Sequence, residues 1–132
     1  MKVFPDTNVW VSAAIFPGLC ADLLGECADR EWLLTSELVR QEAHEVLTEK
    51  FPKRADAARL FDAAWREAGL VKDADGPRDD NDARLIATAI RAGANLFVTG
   101  DKRVLRWSKS PTMHIVSPRD TWVILFAPHL AR

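Results

Sequence analysis

The sequence predicts an α/β domain, a parallel sheet covered by helices. Three observations predict it. Short apolar runs alternate with helical stretches along the chain. The balance of 48% hydrophobic and 28% charged residues over 132 positions fits one globular domain with a core of its own. Acidic residues follow two of the apolar runs, where open parallel sheets bind their ligands.

Lys2 to Phe4 reads as the first strand, ended by Pro5. A helical stretch follows from about Val9 to Arg30, with a break at Pro17-Gly18. Glu31 to Thr35 reads as the second strand, and Ser36 is the expected N-cap of a helix running to about Glu49. Pro52 separates that helix from another over Lys53 to Glu67. Gly69 to Arg78, rich in Gly, Asp and Pro, reads as a loop. A strongly amphipathic helix runs from about Asp80 to Ala92, with Leu85, Ile86, Ala89, Ile90 and Gly93 on its core face. A strand (Asn95 to Thr99), a short helix (Asp101 to Trp107) and a last strand (Met113 to Val116) come next. Ser117-Pro118 opens a final helix that Pro128 stops. No repeat or linker divides residues 1–132, so a single domain is expected.

Composition excludes several classes. A net charge of −1 gives no overall positive field, so any nucleic-acid surface must be a local patch. Cys20 and Cys27 stand two turns apart in a helical stretch, too far for a disulfide within one straight helix. With three scattered histidines they form no zinc pattern, and they read as core residues of a reducing compartment. No apolar run approaches the roughly 18 residues of a membrane span. The start, MKVFPDTNVW, lacks the apolar run of a signal peptide. A cytoplasmic location is expected.

The acids carry the functional signal. Asp6 follows the first strand and Asp101 follows the strand at FVTGD. On the helix from Leu38 to Leu47, Glu42 falls within about 60° of the centre of the apolar stripe, whereas Glu37 and Glu45 face away. On the helix from Asp80, Asp82 lies near the middle of the core face, in the first turn. Each acid alone has an ordinary explanation: capping for Asp82 and Asp101, a turn for Asp6, a boundary ion pair for Glu42. Together they are expected to converge on one sheet edge, and a buried acid must be neutralised, paired or bound to a cation. With no His or Cys among them, an all-oxygen site favours Mg²⁺ or Mn²⁺ over zinc.

Three segments then resemble the PIN-domain family, in its branch of small VapC-like toxins. PDTNVW (residues 5–10) is similar to the family's first acidic motif and carries Asp6 and Asn8. SELVRQEAHEVL (36–47) is similar to the second and carries Glu42. NDARLIATAIRAGANLFVTGD (81–101) resembles the third acid with its helix, strand and TGD, and carries Asp82, Thr99 and Asp101. The chain departs from the pattern at Pro5, where the family has an aliphatic residue, and at Arg103, where it often has a further acid. Asp79 and Asp80 stand nearby as substitutes without an assigned role.

The resemblance implies a PIN-like three-layer α/β/α sandwich with a central, mainly parallel sheet. It implies a metal-dependent endoribonuclease that leaves a 3′-hydroxyl and a 5′-phosphate. Asp6, Glu42, Asp82 and Asp101 would be catalytic and would hold one or two Mg²⁺ or Mn²⁺ ions. Asn8, Ser36 and Thr99 would orient those ligands or the substrate. It also implies a homodimer held inactive by a cognate antitoxin protein.

RNA requires a local basic surface. Lys102, Arg103, Arg106, Lys109 and Arg119 form a basic run after Asp101, with Arg103 and Arg106 as the RNA-binding candidates. Of the five tryptophans, most read as core. Trp107 is the candidate for stacking on a base and Trp65 for a protein interface.

Other readings are a degenerate PIN domain acting as a non-catalytic RNA- or protein-binding module, a haloacid-dehalogenase-type phosphatase and a receiver-like domain. The phosphatase needs a second Asp where Asn8 stands, and the receiver an acid pair where Pro5 precedes a single Asp6.

Overall fold

A computed structural model describes residues 1–77, 79–107 and 112–130. Its elements run β1 (Val3–Pro5), α1 (Thr7–Ile15), α2 (Leu19–Asp29), β2 (Leu34–Thr35), α3 (Glu37–Lys50), α4 (Ala57–Arg66), β3 (Gly69–Leu70), α5 (Asn81–Arg91), β4 (Leu96–Val98), α6 (Lys102–Leu105), β5 (His114–Val116) and α7 (Pro118–Phe126). A turn of 3-10 helix, Pro128–Leu130, follows.

Strands β1, β4 and β5 form a parallel ladder, and β2 and β3 form another. A parallel bridge between Val3 and Leu33 joins the two, giving the order β3-β2-β1-β4-β5. Pro5 explains why that joint is so short. Successive N–H groups of a strand point to opposite neighbours. Val3 donates towards β2, to Trp32 O at 2.8 Å, and Asp6 towards β4, to Val98 O at 2.7 Å. The next β2-facing donor would be residue 5, and proline has none.

The strand order reverses between β1 and β4, which is where doubly wound sheets open a crevice at their carboxyl ends. The core is continuous across this point. Phe4 and Phe97 are register partners, both fully buried, with stacked rings 5.9 Å apart. Their burial removes the largest apolar surfaces of β1 and β4 from water.

Helix ends are fixed locally. Gly93, at φ 77°, closes α5: its N–H donates to Ile90 O and that of Ala94 to Ala89 O, both at 3.0 Å. Glu31 makes the same left-handed turn after α2, at φ 61°.

Three sequence expectations are corrected. Gly69 and Leu70 belong to a strand, held by Gly69 N–H on Leu33 O and Val71 N–H on Thr35 O, both 2.8 Å. Ile90 is exposed, because Thr88 takes the inward position: its buried hydroxyl accepts from Ala74 N–H and donates to Arg84 O, both at 2.8 Å. Ser36 occupies the N-cap position of α3 without a capping side-chain bond. Instead Asp73 Oδ2 accepts from Leu38 N–H at 3.0 Å. Residues 72–74 thus tie α3 to α5, since Arg84 and Arg91 donate to the carbonyls of Ala74 and Lys72.

Among the described residues no single helix is long and apolar enough to cross a membrane. Cys20 and Cys27 are both free, and Cys27 is buried.

Candidate functional site

Asp6 stands where β1 ends and caps α1, its Oδ1 accepting from Thr7 N–H at 2.7 Å. Oδ2 accepts from the Thr99 hydroxyl at 2.8 Å and from Asn8 Nδ2 at 3.1 Å. The residue is only 4% exposed. Burial pushes its carboxyl up to about 6 despite the bonds from Thr99 and Thr7, and the charges of Asp82 and Glu42 add to the rise.

Thr99 performs the matching task at the end of β4. Its hydroxyl oxygen also accepts from Asn8 Nδ2 at 3.2 Å and from Asp101 N–H at 3.1 Å. Asn8 Oδ1 accepts from Gly100 N–H at 3.0 Å. One polar network therefore spans the crevice between β1 and β4.

Glu42 enters from α3, half-buried, while Glu37 and Glu45 are exposed. Its Oε1 accepts from the Thr7 hydroxyl at 2.9 Å and its Oε2 from Asn81 Nδ2 at 3.2 Å. Burial raises its pKa, the two bonds oppose this, and Asp82 and Glu45 reinforce the rise.

Asp82 comes from the first turn of α5 and is not its cap. That role falls to Asp80, whose Oδ1 accepts from Ala83 N–H at 3.0 Å. Asp82 Oδ2 is engaged by Arg103 Nη2. The same Nη2 lies 3.7 Å from Asp101 Oδ2. The Arg103 guanidinium also stands over the Trp107 ring, 5.5 Å from its centre. Asp101 in turn caps α6 by accepting from Arg103 N–H at 2.8 Å.

The structure thus brings Asp6, Glu42 and Asp82 into one cleft, walled also by Thr7, Asn8 and Val46. Asp101 lies outside it, on a neighbouring depression that shares Asn8 as a wall. Lys50 also lines the cleft, but the three carboxylates outnumber it and suit a hard divalent cation, and burial, with mutual repulsion adding to it, holds Asp6 and Glu42 above their ordinary range. Among the described residues no three His, Cys, Asp or Glu stand close enough to share an ion, and Asp82 is turned to Arg103.

The remaining sequence candidates divide. Asn8 and Thr99 are bonded to Asp6. Ser36 is fully buried, and its hydroxyl has no partner among the described residues. Arg103 is engaged by two acids, whereas Arg106 is exposed and makes no ion pair among the described residues. Lys109 lies outside the described residues. Trp107 is half-buried against the core. Trp65 donates from Nε1 to Ser36 O at 3.3 Å beneath the Arg40 guanidinium.

Sequence reasoning missed Thr7 and Asn81, the two donors to Glu42, and Asp73. Thr7 and Asn81 were within reach of it, since each is the immediate neighbour of a singled-out acid.

A search of curated proteins finds no match. The family model described as PIN domain matches residues 2–103, from the start of β1 into α6, and so takes in every element that supplies an acid to the site. PIN domains are in general nucleases and typically use divalent metal ions. The chain belongs to the PIN-domain family.

Proposed function

We propose that this protein is a Mg²⁺- or Mn²⁺-dependent endoribonuclease, the toxin of a type II toxin–antitoxin pair acting in the cytoplasm. The observation that carries the nuclease reading is the shared cleft of Asp6, Glu42 and Asp82 at the point where the strand order reverses. Asp6, Glu42 and Asp82 would hold the ion, with Asp101 joining from the rim. A bound divalent ion supplies Lewis-acid activation of water and neutralises charge developing on a phosphodiester.

The chain's own residues do the positioning. Thr99 and Asn8 aim Asp6, and Thr7 and Asn81 aim Glu42. These bonds hold Asp6 and Glu42 in place, whereas Asp82 must turn from Arg103 to join them. Exposed Lys102 and Arg106 beside the site suit an RNA backbone. Hydrolysis would leave a 3′-hydroxyl and a 5′-phosphate. A homodimer and a cognate antitoxin complete the reading on the strength of the resemblance to VapC-like toxins.

The test is cleavage of RNA by purified protein with Mn²⁺ or Mg²⁺, its loss in EDTA, and its loss in Asp6→Asn and Asp82→Asn. Wild-type rates in both variants would overturn the assignment. A second reading, a non-catalytic binding module, is favoured by the pairing of Arg103 with Asp82. Such a module need not take up Mn²⁺ at these acids, so a metal titration separates the two.

A further inference from the structure

We infer that Arg103 is a tethered counter-ion which competes with a divalent cation for Asp82, so that the cation is taken up only as the guanidinium is displaced. The inference rests on the reading of Asp6, Glu42 and Asp82 as metal ligands.

The geometry of residue 103 is that of an occupant, not a bystander. Its backbone N–H is fixed by Asp101 Oδ1 at 2.8 Å, which sets where the side chain leaves α6. Its guanidinium bonds Asp82 Oδ2 and lies 3.7 Å from Asp101 Oδ2. The Trp107 ring backs it from 5.5 Å. Arginine suits such a place, since its flat, delocalised cation can turn an edge to carboxylates while its face lies on an aromatic ring.

The oxygen of Asp82 that accepts this donor cannot at the same time present the same lone pair to a metal. A fixed positive charge beside the cleft also lowers the affinity for a second positive charge. Yet the pair is soft. The Arg103 side chain is 66% exposed, so water can take over its hydrogen bonds. Competition is therefore expected to be modest and reversible. By linkage, a partner that draws Arg103 off Asp82 tightens the metal, and the metal tightens that partner by the same factor.

The test reads Mn²⁺ binding directly, from the loss of the free-ion electron paramagnetic resonance signal on titration, with no substrate present. Arg103→Met keeps length and packing on Trp107 without the charge. It is expected to tighten Mn²⁺ by roughly threefold to fivefold, the range an exposed ion pair supports. Arg103→Lys, a point charge that cannot lie flat on Trp107, should fall between Arg103→Met and wild type. Arg106→Met removes a charge at the C-terminal end of the same short helix, from a residue with no ion pair to either acid among the described residues, and should shift Mn²⁺ binding by far less.

Equal shifts in Arg103→Met and Arg106→Met would reduce the effect to general field and overturn the inference. So would Arg103→Met binding no tighter than wild type. If Asp82→Asn leaves Mn²⁺ uptake unchanged, the ligand assignment itself fails. If neither wild type nor Arg103→Met takes up Mn²⁺, both readings fall.

Discussion

Thr7 and Glu42, 35 positions apart, are joined by a hydrogen bond of 2.9 Å in which the Thr7 hydroxyl donates to Oε1. The backbone N–H of the same threonine donates to Asp6 Oδ1 at 2.7 Å. One residue thus sets the position of two of the three acids in the cleft. Thr7→Val keeps the shape and the Asp6 bond but removes the donor to Glu42. Stability should fall by about 1 kcal/mol, the net worth of one such bond. The Glu42 carboxyl should move further up, because a donor to its charged form is gone. Thermal melts and Mn²⁺ titrations across pH check the two effects, and an unshifted pH midpoint for metal uptake would count against the role of Thr7.

Asp6 makes the fold less stable as pH rises. Its pKa goes from 3.8 in the unfolded chain to about 6 in the folded one. Between those values the folded state holds a proton that the unfolded state has lost, so stability declines from about pH 4 and levels off above about pH 6. The full effect is on the order of 3 kcal/mol, and Glu42 adds to it in the same direction. Asp6→Asn should flatten that decline, measured as melting temperature at pH 5 and pH 7.5 in EDTA. Cleavage should instead be lost as pH falls, at a pH below the metal-free value of about 6, because a bound cation favours the charged form of Asp6. A melting profile equally steep in Asp6→Asn would show that other groups carry it.

The cap of α3 is supplied from outside its own segment. Asp73→Ala should cost about 1 kcal/mol, as loss of a capping acceptor does. Ser36→Ala should be neutral or slightly stabilising, since its buried hydroxyl has no partner among the described residues. Chemical denaturation of the two variants decides the point, and the reverse ranking would reject it.

Thr99 joins Asp6, Asn8 and the Asp101 N–H through a single oxygen. Thr99→Val leaves the Asp101 N–H without this acceptor and takes one bond each from Asp6 and Asn8, which keep their bond to each other; it should cost roughly 1–2 kcal/mol, with a further loss of RNA cleavage from a misdirected Asp6. Thr99→Ser keeps the hydroxyl and should restore most of both. Parallel melts and cleavage assays test this, and a Ser variant as poor as Val would point to the lost methyl group instead.

How much of this was legible in the sequence depended on the range of the signal. Glu42 and Asp82 were found by helix face, because α3 and α5 are regular enough for the 100° rule to hold. Asp6 and Asp101 were found by their place after strands. β3 was invisible: it has two residues, its Leu70 side chain is exposed, and it is held by backbone bonds alone. Ile90 misled because Thr88 buries its hydroxyl by bonding the loop at Ala74, which turns the helix face. The pairing of Arg103 with Asp82 joins residues 21 apart across a helix and a strand, beyond any periodic pattern. Ser36 misled because residue type predicts a cap, while a distant Asp73 won the N–H.

The fastening at residues 72–74 has a consequence for how this protein can vary. Lys72, Asp73 and Ala74 connect α3 and α5 upstream of the stretch that leads into α5. The spacing of Glu42 and Asp82 is thus set before the chain reaches residue 75. Insertions or deletions at 75–77 fall outside that fastening, in the turn where Asp80 N–H donates to Pro77 O at 3.2 Å, so they should move the acids less. A change of one residue at 72–74 would shift them both.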